Sequence, residues 1–181
     1  MKRFILTLFL GLVFGFVSYA QSYLGYVNKT VNFRTEANTS CKVISSLQQG
    51  TALFVISKDK INGFYQVLDI DTNKEGFVHS NFVKLDRMLP KNEEGIFTPI
   101  GKTSSEKPVI KIYNNTNKAL TLKLNNEIYS FSPQERKSLT LSSGSYSYRA
   151  SAPGVLPDYG TELMKSSYEY EWSFYISTTK N

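Results

Sequence analysis

The sequence predicts an all-β chain of two units, a small barrel followed by a β-sandwich, behind a leader that is cleaved. Three observations carry that expectation. Short apolar runs alternate with clusters of Gly, Asn, Asp, Ser and Pro from residue 31 onward. No stretch beyond residue 20 shows the helical spacing of apolar residues. Near the end the alternation is strict, and Tyr168, Tyr170, Trp172, Phe174 and Ile176 fall on one face of a strand.

The first 20 residues have a basic start, Lys2-Arg3, an apolar run from Phe4 to Val17 and the small-x-small sequence Ser18-Tyr19-Ala20. This is the pattern of an export signal. The apolar run is shorter than the roughly 20 residues of a membrane helix, so no stable span is expected after cleavage. No cysteine stands at the expected cut, so no lipid anchor is expected there. The division that follows is 1–20 signal peptide, 21–85 barrel, 86–107 linker and 108–181 sandwich. The expected location is periplasmic or extracellular.

At 181 residues the chain has room for one or two domains. Its 41% hydrophobic and 14% aromatic content suffices for packed cores. Removing Lys2 and Arg3 from 21 basic residues leaves 19 against 15 acidic ones, with no run of Lys or Arg. That balance argues against a nucleic-acid partner.

In the barrel, Tyr23 to Val27 is a short apolar approach that reads as a first edge strand, and Val31 and Phe33 sit two apart on one side of the next. Thr35 to Ser40 is a polar loop. Val43 to Leu47 resumes the strand pattern and stops at Gly50, whose permissive backbone suits a turn. Thr51 to Ile56 and Phe64 to Ile70 flank the polar stretch 57–62, Asp71 to Lys74 is a hairpin tip, and Gly76 to Val83 closes the set.

Four of these pieces, Val31-Asn32-Phe33-Arg34, Lys42 to Thr51, Gly63-Phe64-Tyr65-Gln66-Val67 and Gly76-Phe77-Val78-His79-Ser80, together resemble the bacterial SH3-like domain in order and spacing. Phe64 stands where that family usually has tryptophan, and the loop after Arg34 lacks its usual Gly-Pro. The resemblance implies a secreted module that commonly binds cell-wall peptides or glycans, often beside a peptidoglycan hydrolase.

From Val109 the β pattern is cleaner. Val109 to Tyr113, Leu120 to Leu124, Ile128 to Phe131, Ser138 to Leu141, Ser145 to Ala150 and Tyr168 to Ile176 make six strands, with Asn125-Asn126 as a tight hairpin signal. Two packed sheets are expected. The strand, small-Gly turn and Tyr hairpin of Leu139 to Tyr146 resemble those of secreted carboxypeptidase-regulatory-like sandwiches. Ala152 to Gly160 reads as the longest irregular stretch of this half.

The expected ligand contacts are Tyr65 and Phe64 as an exposed stacking platform, with Arg34, Glu36, Asn38, His79 and Asn81 as polar groups nearby. Phe33 and Phe77 are expected in the core. A single histidine, His79, cannot supply a metal cluster or a serine triad, and Cys41, the only cysteine, lies inside the same barrel pattern. Asp69 to Gly76 spaces its oxygens like a calcium loop but lacks the glycine and glutamate such a loop needs, so a solvated hairpin tip is expected. No catalytic residue, metal or cofactor is expected. The expected role is non-catalytic envelope binding of a peptidoglycan fragment, or alternatively an envelope protein partner.

Overall fold

The computed structural model describes residues 21–176. The expected leader lies outside them. Fifteen strands and one 3-10 turn account for the regular structure of the described residues, none of which forms a helix long and apolar enough to cross a membrane.

The first seven strands are β1 (Tyr23–Val27), β2 (Val31–Arg34), β3 (Val43–Leu47), β4 (Ala52–Val55), β5 (Phe64–Asp69), β6 (Lys74–His79) and β7 (Val83–Met88), the last preceded by the 3-10 turn Ser80–Phe82. They form one antiparallel sheet in the order β3-β2-β6-β5-β4-β1-β7, rolled into a barrel around Val27, Phe33, Leu47, Leu53, Val55, Tyr65, Val67, Val78 and Val83. β1 lies inside this order, between β4 and β7, and is not an edge. Gly76 permits the closest approach in the barrel. A Cβ there would stand 2.5 Å from the Arg34 carbonyl oxygen and 2.6 Å from the Phe33 ring.

The remaining strands are β8 (Thr98–Lys102), β9 (Val109–Asn114), β10 (Leu120–Leu124), β11 (Glu127–Phe131), β12 (Arg136–Thr140), β13 (Gly144–Ser151), β14 (Asp158–Met164) and β15 (Tyr168–Phe174). They make two four-stranded sheets, β11-β10-β13-β14 and β12-β9-β15-β8. Leu120, Leu122, Leu124, Tyr148, Ala150 and Met164 from one sheet meet Ile110, Ile112, Tyr170 and Phe174 from the other in a single core. This is the expected sandwich, with β8 and β14 in addition. β15 runs parallel to β9, with Glu169 paired to Val109.

The segment 86–107 is built into both units, its apolar residues lying against them. β7 continues to Met88, Leu89 is buried, the Asn92 N–H donates to the Tyr159 carbonyl at 2.9 Å, and Phe97 enters the sandwich core. Glu162 holds its end by accepting the N–H groups of Ile96 and Phe97 at 2.9 and 3.1 Å.

The outer face of the barrel packs on the outer face of the β11-β10-β13-β14 sheet. Leu24, Phe54, Leu68, Ile70 and Leu89 form an apolar cluster against which Tyr159 packs, its ring edge-on to Phe54 at 5.5 Å. The Tyr159 hydroxyl donates to the Leu89 carbonyl at 2.7 Å and accepts from Gln21 Nε2 at 3.0 Å. The β5-β6 tip keeps Asp71, Thr72 and Lys74 exposed, as expected, and is anchored on one side: Asn73 Nδ2 donates to Thr121 Oγ1 at 3.1 Å, and the Gly154 N–H to the Ile70 carbonyl at 2.8 Å. Asp69, with the oxygens that suggested a calcium loop, is buried and accepts from Thr72 Oγ1 at 2.5 Å and from the Asp71 N–H at 3.2 Å.

Glu75 lies at this junction, taking Arg149 Nη2 on one oxygen and Lys123 Nζ at 3.5 Å on the other, with Gln66 Nε2 at 2.5 Å. Burial pushes the Glu75 carboxyl up, but the Arg149 and Lys123 charges and the Gln66 amide outweigh it and hold the group below its ordinary 4.5. Each buried aliphatic or aromatic side chain contributes about 2 kcal/mol, whereas desolvation offsets most of the attraction of an ion pair at this burial. The apolar cluster therefore holds the two units together and Glu75 sets their orientation.

Two outcomes follow. Gly76→Ala should lose about 2 kcal/mol by overpacking, read as a thermal midpoint several degrees lower. A carboxyl with a depressed folded-state pKa contributes stability that is present above its unfolded pKa and lost as pH falls through the folded value. Acid titration below pH 4.5 should accordingly weaken the contact of the two units, and Glu75→Gln should flatten that part of the stability profile.

Candidate functional site

The register of β5 on β6 decides which side chains reach the open face of the barrel. Phe64 pairs with His79, Gln66 with Phe77 and Leu68 with Glu75, while Tyr65 pairs with Val78 on the inner side. The sandwich covers the Leu68 and Glu75 end of this strip, and the Phe64 and His79 end remains open.

Tyr65 was expected outside. Its ring lies in the barrel core at 8% exposure, with the Lys60 ammonium 5.7 Å from its centroid. Phe64 points outward but is covered to 4% exposure by the His79 ring, edge-on at 5.1 Å. The expected pair of exposed stacking rings is therefore absent. Phe33 is in the core as expected, whereas Phe77 is half-buried on the outer side, beside Gln66.

What the open end presents is a histidine between two aromatics. His79 stands 6.0 Å from the half-buried Phe82 ring, also edge-on. Its Nδ1 accepts the Asn81 N–H at 3.4 Å, capping the 3-10 turn. The Asn81 carbonyl in turn accepts from Asn28 Nδ2 at 3.0 Å.

A second group is the loop 35–42. Arg34 Nη1 donates to the Cys41 carbonyl at 2.9 Å, and Cys41 Sγ lies 3.2 Å from the Glu36 carbonyl oxygen and 2.9 Å from that of Asn38. Asn38 Oδ1 accepts the Ser40 N–H at 2.9 Å, leaving the side chains of Glu36 and Asn38 exposed. Among the described residues no hydrogen bond joins Cys41 to His79, and no group of three or more His, Cys, Asp or Glu is placed to hold a metal.

Asn62 ties the two groups together. Ile61 and Phe64 exchange both main-chain hydrogen bonds at 2.9 Å around Asn62 and Gly63, whose φ angles are +50° and +82°. The Asn62 side chain then donates to the Ala37 carbonyl at 3.4 Å, and Gly63 lies under the imidazole, where a Cβ would be 3.6 Å from Nε2. Asn62 was not among the expected contacts. Its signal was the Asn-Gly pair itself, the commonest two-residue hairpin turn.

The fold and this face define a class, a small β-barrel binding module joined to a β-sandwich. Residues 29–84 match the family model of the bacterial SH3 domain. No curated protein and no solved structure matches the chain.

With Tyr65 in the core, Tyr65→Ala should cost about 3 kcal/mol of stability. A urea midpoint lowered at unchanged slope would confirm the placement; an unchanged midpoint would contradict it.

Proposed function

We propose that the protein is a non-catalytic, exported envelope protein whose SH3 domain binds a peptide or glycan fragment of peptidoglycan through the open end of its barrel. The observation that carries this reading is the match of residues 29–84 to a bacterial SH3 domain, a binding module. The face itself supports it: His79 and the half-buried Phe82 offer ring surface, and Arg34, Glu36, Asn38 and Asn81 offer polar contacts around it. Export rests on the sequence of residues 1–20.

A second reading, docking onto an envelope protein, is favoured by β3. It is the outer strand of the barrel sheet, with Val43, Ser45 and Ser46 exposed, and an uncovered strand edge accepts another chain by strand addition.

Sedimentation with purified wall sacculi tests the first reading. The protein should appear in the pellet, and Asn81→Ala, at an exposed side chain of the open end, should weaken binding about tenfold with little change in thermal midpoint. Wild-type protein left wholly in the supernatant would overturn it. A single dominant protein adduct on crosslinking in cells would favour the second.

A further inference from the structure

A cleft of about 550 Å³ lies between the barrel and the sandwich, away from the face described above. That size falls within the range of small-ligand sites, and domain junctions are where such sites commonly occur. One wall comes from the barrel, with Phe54 and Ile56; the other is the outer face of the β11-β10-β13-β14 sheet, with Arg149, Ser147 and Ser145 from β13 and Lys123 from β10.

The charge of the lining is one-sided. Lys91, Lys123 and Arg149 border the cleft and no Asp or Glu does. Glu75, just beyond, is one carboxylate shared by two of these cations, and its contact with Lys123 is long at 3.5 Å. Arg149 Nε has no hydrogen-bond partner, so part of the guanidinium's donor capacity is unused. The larger opening on the sandwich, of about 1300 Å³, differs in this respect. Its lining holds Asp158 and Glu171 beside its basic residues, Lys111 pairs with Glu169 at 2.6 Å, and the Arg136 guanidinium lies over the Tyr113 ring at 3.6 Å.

We propose that the cleft between the two units binds a short peptide by its carboxylate, with Lys123 and Arg149 meeting the anion and the half-buried Ile56 and Tyr159 meeting an apolar side chain. The exposed Ser145 hydroxyl suits the peptide's amide groups, and the Ser147 hydroxyl, which donates to Asn125 Oδ1 at 3.2 Å, can still accept. Charge-assisted hydrogen bonds to a carboxylate are the stronger kind, and a largely apolar wall beside them favours an anion with an apolar body over a bare inorganic ion. This site is separate from the wall-binding reading and does not depend on it.

The test is a titration of the full chain, followed by NMR, with acetyl-Leu-Ala carrying a free carboxylate and with its C-terminal amide. The acid should bind saturably and shift the amide signals of Ser145, Ser147 and Tyr159, and the amide form should bind about tenfold more weakly or worse. Lys123→Gln should reduce the affinity of the acid to near that of the amide. Ser145→Trp, at an exposed strand position on the cleft, should block binding while the thermal midpoint holds; it decides the matter even if Lys123→Gln perturbs the docking. Equal affinity for acid and amide, binding that survives Ser145→Trp, or no saturable binding up to about 10 mM would overturn the proposal. The probe is a soluble peptide, so a failure on sacculi and a failure here are read separately.

Discussion

One strip of apolar contact conditions the rest of the molecule: Leu24, Phe54, Leu68, Ile70 and Leu89 on the barrel, closed by Tyr159 of the sandwich. A barrel of this size buries its core on the inner side of the sheet, and its outer side is normally left to water. Here part of the outer side is taken up by a neighbour. The strip fixes which end of the β5-β6 face remains available, places Glu75 under Arg149 and Lys123, and creates the cleft above the junction. Its geometry is specific because the Tyr159 hydroxyl is held by the Leu89 carbonyl and the Gln21 amide, so the ring cannot slide over Phe54 without losing both.

The same strip explains what was legible in the sequence and what was not. Where a strand is covered on one face only, as in Tyr168 to Phe174, alternation gives its orientation directly. In β5 the outer residues Phe64 and Leu68 are as apolar as the inner Tyr65 and Val67, because His79 and the sandwich cover them, and only Gln66 breaks the run. The alternation that would have fixed the phase is therefore weakened, and a displacement by one residue moves every side chain to the other face. The expectation that placed Tyr65 outside was such a displacement. The four family pieces carried the barrel itself, since each lies at a turn or core position whose chemistry is local.

β14 and β8 escaped for a different reason. β14 contains Gly160 because the Asn92 main chain passes too close for a side chain, and Glu162 because the N–H groups of Ile96 and Phe97 need an acceptor. β8 carries Pro99 and Gly101 and is exposed throughout. β8 pairs only with β15, far along the chain, while β14 pairs with its neighbour β13 but takes Gly160 and Glu162 from contacts with the distant segment 92–97, and the composition of both reads as loop. The candidate site was legible as a neighbourhood, in Arg34, Glu36, Asn38, His79 and Asn81. The clasp that assembles it, Asn62 on the Ala37 carbonyl, joins two loops and has only the Asn-Gly turn as its local sign.

The strand order β12-β9-β15-β8 also bears on how the chain is made. The barrel strands are complete by Met88 and can pair as soon as they emerge during synthesis. In the sandwich, β8 and β9 both wait for β15, which must slip between them from far along the polypeptide. Until it arrives, Ile110 and Ile112 have no lid on that side, and two unpaired edges face each other. A chain that has not yet placed residues 168–174 holds a finished first half and an unclosed second, the kind of intermediate that is prone to aggregate.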